Sequence, residues 1–192
     1  GKRMIQDLVR FTDDPEVRHR IVFLPNYDIA MARVLFPGCD VWLNNPLRPL
    51  EACGTSGMKA AMNGGLNLSV LDGWWDEMYD GQNGWAIPTA DNKASTDERD
   101  DIEAAALYEL IENHVAPRFY GETTDDPEIT SEEIPHQWLA MVKHTLATLG
   151  PNVSARRMLT DYVQKLYVPA CVSGRRSIAD NGKVARSTCL LY

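Results

Sequence analysis

Only 4 cysteines and 4 histidines occur among the 192 residues. Cys39, Cys53, Cys171 and Cys189 show neither C-x-x-C spacing nor histidines at zinc-ligand intervals, which argues against a metal site or a disulfide framework and for reduced thiols. His19, His114, His136 and His144 match no triad or metal spacing and receive no role. Long hydrophobic runs are absent too. No stretch would span a bilayer and no charged start precedes an apolar core, so signals for membrane insertion and secretion are missing and the cytoplasm is the expected compartment. Basic residues are few, 19 Lys and Arg against 27 Asp and Glu, for a net charge of -8. Such a surface repels nucleic acid and anionic membranes. There is no internal repeat and no low-complexity tract. With 44% hydrophobic residues the chain can bury one core, as an acidic α/β enzyme domain would.

Periodicity then orders the chain. Met4, Ile5, Leu8 and Val9 share a helical face, and Arg20-Ile21-Val22-Phe23-Leu24 predicts a short buried parallel strand. Asp28 to Leu35 predicts a turn or two of helix ended by Pro37-Gly38, and Asp40 to Leu43 the next strand. A helix bearing Met58 to Met62 follows, stopped by Asn63-Gly64-Gly65 as by a left-handed cap, and Leu66 to Leu71 predicts another strand. Beyond a charged stretch, Asp91 to Asp101, helical spacing recurs through Ile102 to Ile111, Trp138 to Leu149 and Ala155 to Leu166. These helices are expected to pack on the sheet. The alternation implies a doubly wound, Rossmann-like parallel sheet. Residues 170–192 lose periodicity and are expected to form a poorly ordered tail. The opening Gly1-Lys2-Arg3-Met4 runs at once into a helical pattern, as in a chain cut from something longer.

Chemistry concentrates between Arg48 and Gly64. Glu51, a loop of small residues, hydroxyls and Lys59 fall within one strand-to-helix connection. Amides of Gly54 to Gly57 can approach a phosphate, and the helix start adds a favourable dipole. Lys59, about one turn inside, would be a candidate imine-forming amine if partly withdrawn from water. A lysine on a helix is ordinarily just a solvated side chain, and a glycine-bearing βα loop alone is a weak phosphate signal. A second group, Asp72, Trp74, Trp75 and Glu77, could stack on a sugar, although paired tryptophans more commonly pack in a core. Asn26 and Tyr27 end the first strand expected above, where ligands bind in open α/β sheets, but loop structure explains them equally.

The string EACGTSGMKAAMNGGLNLSVLDGWW resembles the cofactor-lysine motif of the α-glucan phosphorylases nearly position by position. The likeness extends over IVFLPNYDIAMARVLFPGCDVWLNNPLRPLE upstream and DGQNGWAIP downstream, and more weakly to Pro169, with the bacterial and archaeal branch most similar. It implies the C-terminal, cofactor-binding domain of a GT-B-type glycosyltransferase over residues 1–169. It also implies that Lys59 holds pyridoxal 5'-phosphate as a Schiff base, that Gly54, Thr55 and Ser56 hold the cofactor phosphate, and that Glu51, Cys53 and Gly54 contact the transferred glucosyl unit. Lys59 and Glu51 would be the catalytic positions. The implied reaction is phosphorolysis of α-1,4-glucan by inorganic phosphate, with retention, to α-D-glucose 1-phosphate. No metal is implied, and a homodimer is a possible assembly of the full-length protein.

Cys53 stands where the family pattern has serine, so a sugar contact through the side chain would weaken while one through the backbone N–H would survive. Family members are several times longer and place their site between two domains, and the segment that holds substrate phosphate would precede Gly1. The isolated chain is therefore expected to lack turnover. Two other readings stay open here: a nucleotide-sugar transferase of the same architecture, in which Lys59 has no task, and a non-catalytic remnant of the fold.

Overall fold

Alternation along Leu66-Asn67-Leu68-Ser69-Val70 sends Leu66, Leu68 and Val70 to one side of a strand and Asn67 and Ser69 to the other, yet all five are buried. A strand covered on both faces belongs inside a layered α/β arrangement. In the computed structural model, which describes residues 1–50, 53–91, 95–121 and 135–189, this strand is β2 (Leu66–Val70). It lies between β1 (Val41–Asn44) and β3 (Gly84–Ile87), both parallel to it, with Val41 opposite Leu66 and Asn67 opposite Gly84.

The chain divides into two compact units, Gly1–Gly38 and Cys39–Tyr192. The first contains α1 (Lys2–Thr12) and α2 (Ile29–Gly38). Asp28 caps α2, its carboxylate accepting from the Met31 amide at 2.8 Å. The strand expected at 20–24 does not form: Ile21 to Leu24 are irregular and exposed, Val22 to 72%. A parallel strand exists only through a hydrogen-bonded neighbour, and among the described residues the three paired strands all lie in the second unit.

In the second unit, α3 (Thr55–Met62) connects β1 to β2, and α4 (Trp74–Met78) connects β2 to β3. The Asn63-Gly64-Gly65 stop forms as expected. Gly64 has φ +87°, its amide donates to the Ala61 carbonyl at 3.1 Å, and the Gly65 amide donates to Ala60 at 2.9 Å, the paired bonds of a Schellman cap. α5 (Thr96–Leu110) starts at Ser95, whose hydroxyl accepts from the Glu98 amide. It passes through a π-helical turn, Ile111–Val115, into α6 (Ala116–Tyr120), where Pro117 has no N–H to give the preceding turn. α7 (His136–Asn152) and α8 (Ala155–Asp161) follow; a second π turn, Tyr162–Tyr167, leads to α9 (Val168–Cys189).

One core cluster joins Leu66, Leu68 and Val70 to Trp85, Ile87, Val115, Trp138 and Met141. The other joins Ala61, Trp74 and Trp75 to Leu149. α7 thus serves both, as its apolar spacing predicts. Burying each large aliphatic side chain contributes about 1.5–3 kcal/mol. α8 buries none of its residues, contrary to the packing expected of it: Met158 and Leu159 are exposed. The residues after Pro169, for which the sequence leads to a poorly ordered tail, run as a helix to Cys189. Helical hydrogen bonds are local and need no apolar stripe, so missing periodicity does not forbid a helix. No described helix is long and apolar enough to cross a membrane.

Candidate functional site

Burial along α3 separates its two faces. Gly57, Ala60 and Ala61 are buried, whereas Thr55 and Lys59 are exposed and Ser56 is half-buried. Thr55 and Lys59 are four residues apart and Ser56 and Lys59 three, so the hydroxyls and the amine share a face of the helix. Lys59 is exposed among the described residues.

The loop before α3 is accessible as well. Cys53 is exposed and Gly54, at the helix N-cap with φ -80° and ψ 82°, is half-buried. The Thr55 amide donates to the Cys53 carbonyl at 3.1 Å, which tightens the entry to the helix. First-turn amides of any α-helix lack intrahelical acceptors and carry the positive end of the dipole. Two side-chain N–H groups stand near. A Cβ on Gly54 would come 3.5 Å from Asn44 Nδ2 and 3.9 Å from Trp74 Nε1. Glu51 lies outside the described residues.

Small residues here have distinct jobs. A Cβ on Gly54 would make only ordinary contacts, so glycine leaves space at the loop without being sterically compelled. Gly57 is compelled: a Cβ would fall 2.5 Å from Asn67 Oδ1 and 3.0 Å from Trp74 Cζ2. Asn67, in β2, donates its side-chain N–H to the Gly57 carbonyl at 3.1 Å. The sequence reading gave Asn67 and Asn44 no functional role. The available signal for Asn67 was a carboxamide inside the otherwise apolar run of a buried strand.

Trp74 and Trp75 are 6% and 1% exposed, with ring centroids 5.2 Å apart, so they pack in the core rather than offering a sugar platform. His144 Nε2 lies 2.7 Å from Asp80 Oδ2 and ties α7 to the loop after α4. Burial alone would raise the Asp80 carboxyl, but the bonds from His144 and from the Gln82 and Asn83 amides together hold it below the usual aspartate range. The described residues contain no cluster of His, Cys, Asp and Glu able to hold a metal ion. A surface cleft of about 320 Å³, lined by Asn113, His114, Arg118 and His136 among others, shares no residue with the Cys53–Lys59 segment.

The donor set at the start of α3 fits a phosphorylated carbonyl compound. First-turn amides beyond the Thr55 N–H and two hydroxyls suit the phosphate, and a primary amine one turn away on the same face suits an aldehyde.

A carbohydrate phosphorylase family model matches residues 3–83. Over 186 residues the chain is 60% identical to a glycogen phosphorylase of Mycobacterium tuberculosis, an alignment covering 97% of this chain and 21% of that protein. It is 47% identical over 167 residues to a glycogen phosphorylase of Aquifex aeolicus, covering 87% of this chain and 23% of the relative. It is 40% identical over 186 residues to a maltodextrin phosphorylase of Thermococcus litoralis, again 97% of this chain and 21% of the relative. The chain thus spans about a fifth of the length of these relatives. The 186-residue alignments also take in most of the stretch after Pro169, which the sequence alone had set outside the resemblance.

Proposed function

Because this chain belongs to the carbohydrate phosphorylase family, we propose that the full-length protein carrying it cleaves α-1,4-glucan with inorganic phosphate and that Lys59 anchors pyridoxal 5'-phosphate. The observation that carries the reading is the helix face shared by Thr55, Ser56 and Lys59, of which Thr55 and Lys59 are exposed and Ser56 half-buried, behind an accessible loop of small residues.

In the proposed reaction the bond between the terminal glucosyl C1 and its glycosidic oxygen breaks, a bond from C1 to a phosphate oxygen forms, and the oxygen that leaves takes the proton that the attacking hydrogen phosphate gives up. Retention makes the product α-D-glucose 1-phosphate. The bound cofactor supplies acid–base chemistry through its phosphate. The chain's own residues position and hold. The Gly54 and Ser56 amides and the Thr55 and Ser56 hydroxyls would donate to the cofactor phosphate, and the Lys59 amine would hold the ring covalently by displacing water from its aldehyde. Glu51 would accept from a glucosyl hydroxyl, and Cys53 and Gly54 would contact the same sugar. A contact through the Cys53 backbone tolerates the thiol that replaces a hydroxyl there.

The parallel three-stranded sheet with helices packed on it supports placing these residues in the cofactor-binding, Rossmann-like C-terminal domain of a two-domain GT-B enzyme. Residues 1–169 would belong to that domain and the remaining substrate contacts to other parts of the protein, with a homodimer as the proposed assembly. The test is release of glucose 1-phosphate from maltodextrin and inorganic phosphate by the full-length protein. Lys59→Ala is expected to lower it by about a thousandfold or more, the scale of losing a group that organises the reaction. Unchanged phosphate-dependent release in Lys59→Ala would refute the reading.

A further inference from the structure

Asn67 is a carboxamide at 1% exposure in the central strand, between Leu66 and Leu68, which point into the main core. Burying an amide is unfavourable unless its groups are bonded, and an apolar side chain would fill the space without that cost. The amide therefore supplies something packing does not, namely direction. Its Nδ2 donates to the Gly57 carbonyl at 3.1 Å, while Oδ1 stands where a Cβ on Gly57 would clash at 2.5 Å. The Trp74 ring closes the same point of α3 from 3.0 Å. Gly57 follows Ser56 directly and precedes Lys59 by two residues. Its peptide planes are rigid, so holding its carbonyl and Cα sets the depth and rotation of the first turn.

We propose that Asn67 is a positioning residue for the anion loop, fixing through Gly57 how the Ser56 amide and the hydroxyls of Thr55 and Ser56 meet a phosphate. The proposal rests on the reading of this loop and Lys59 as the cofactor site. Asn67 does not touch the ligand; it acts through the backbone of α3. Loss of its hydrogen bond loosens a phosphate cradle before it loosens the hydrophobic packing around it.

The experiment reconstitutes the full-length apo-enzyme with pyridoxal 5'-phosphate or with pyridoxal, which has the same aldehyde and no phosphate, and measures both dissociation constants by absorbance. Thermal unfolding of each apo-protein is followed in parallel. Wild type should bind the phosphorylated compound more tightly. In Asn67→Leu that preference should fall about tenfold, the scale of one misdirected charge-assisted hydrogen bond. A preference equal to wild type, whatever the melting temperature, overturns the role of Asn67 alone and leaves a purely structural residue. A wild-type protein with no preference overturns the cofactor reading and this proposal together. Where Asn67→Leu does not fold, Asn67→Ser, which keeps a hydroxyl donor in less volume, is read by the same two criteria.

Discussion

The Thr145 hydroxyl donates to the Asn83 carbonyl oxygen at 3.1 Å, joining α7 to the start of β3 across 62 residues of sequence. Both residues are fully buried, and the Asn83 side chain is itself bonded, its Nδ2 donating to the Met78 carbonyl at 2.8 Å. Thr145→Val keeps the branched shape and leaves that carbonyl without its partner. A cost of about 1–3 kcal/mol is expected. Hydrogen exchange in the full-length protein should show it as reduced protection of β3 and α7. Unchanged protection would mean that the bond contributes nothing net.

Gly57→Ala places a methyl group against Asn67 Oδ1 and the Trp74 ring. Overpacking of this kind costs about 1–3 kcal/mol, read as a lower urea midpoint of the full-length protein. Adding Asn67→Ala removes one of the two obstructing groups, so the double variant should lose less than the sum of the single changes. Strict additivity would show that the two side chains do not compete for one space.

The Asp80 carboxyl titrates below its usual value of 3.8, held there chiefly by His144 and neighbouring amides against the opposing effect of burial. A lowered folded value means that the stabilisation is complete above the ordinary aspartate range and is lost as the pH falls through the folded value. Acidification from pH 6 toward pH 3 should therefore lower the urea midpoint of wild type more than that of Asp80→Asn. Equal losses would show that the Asp80–His144 tie has no part in acid sensitivity. With both side chains about one-third exposed, solvent screening keeps the effect small.

Local signals were legible where one residue type admits one conformation or one environment. Asn63-Gly64-Gly65 announced the stop of α3 because Gly64 had to take a positive φ, and the spacing of Trp138, Met141 and Leu149 announced the buried stripe of α7. Strand formation at 20–24 was not decidable locally, since an apolar β-branched run becomes a strand only beside a partner. β3 escaped notice because Gly84-Trp85-Ala86-Ile87 is too short for a period, and its Gly84 is required by Asn67 and Trp75 crowding in from other elements. The helical stretch after Pro169 has no apolar stripe to reveal it. At the site, the string around Lys59 was readable as a motif. The asparagine that braces it was not, because its role depends on β2 and α3 lying side by side.

The most direct measurement is borohydride reduction of the full-length holoenzyme followed by peptide mapping. A pyridoxyl group on Lys59, in the peptide that also carries Thr55 and Ser56, is the expected result. A pyridoxyl group on a different lysine, or a protein that purifies without the cofactor and cannot be loaded with it, would contradict the assignment.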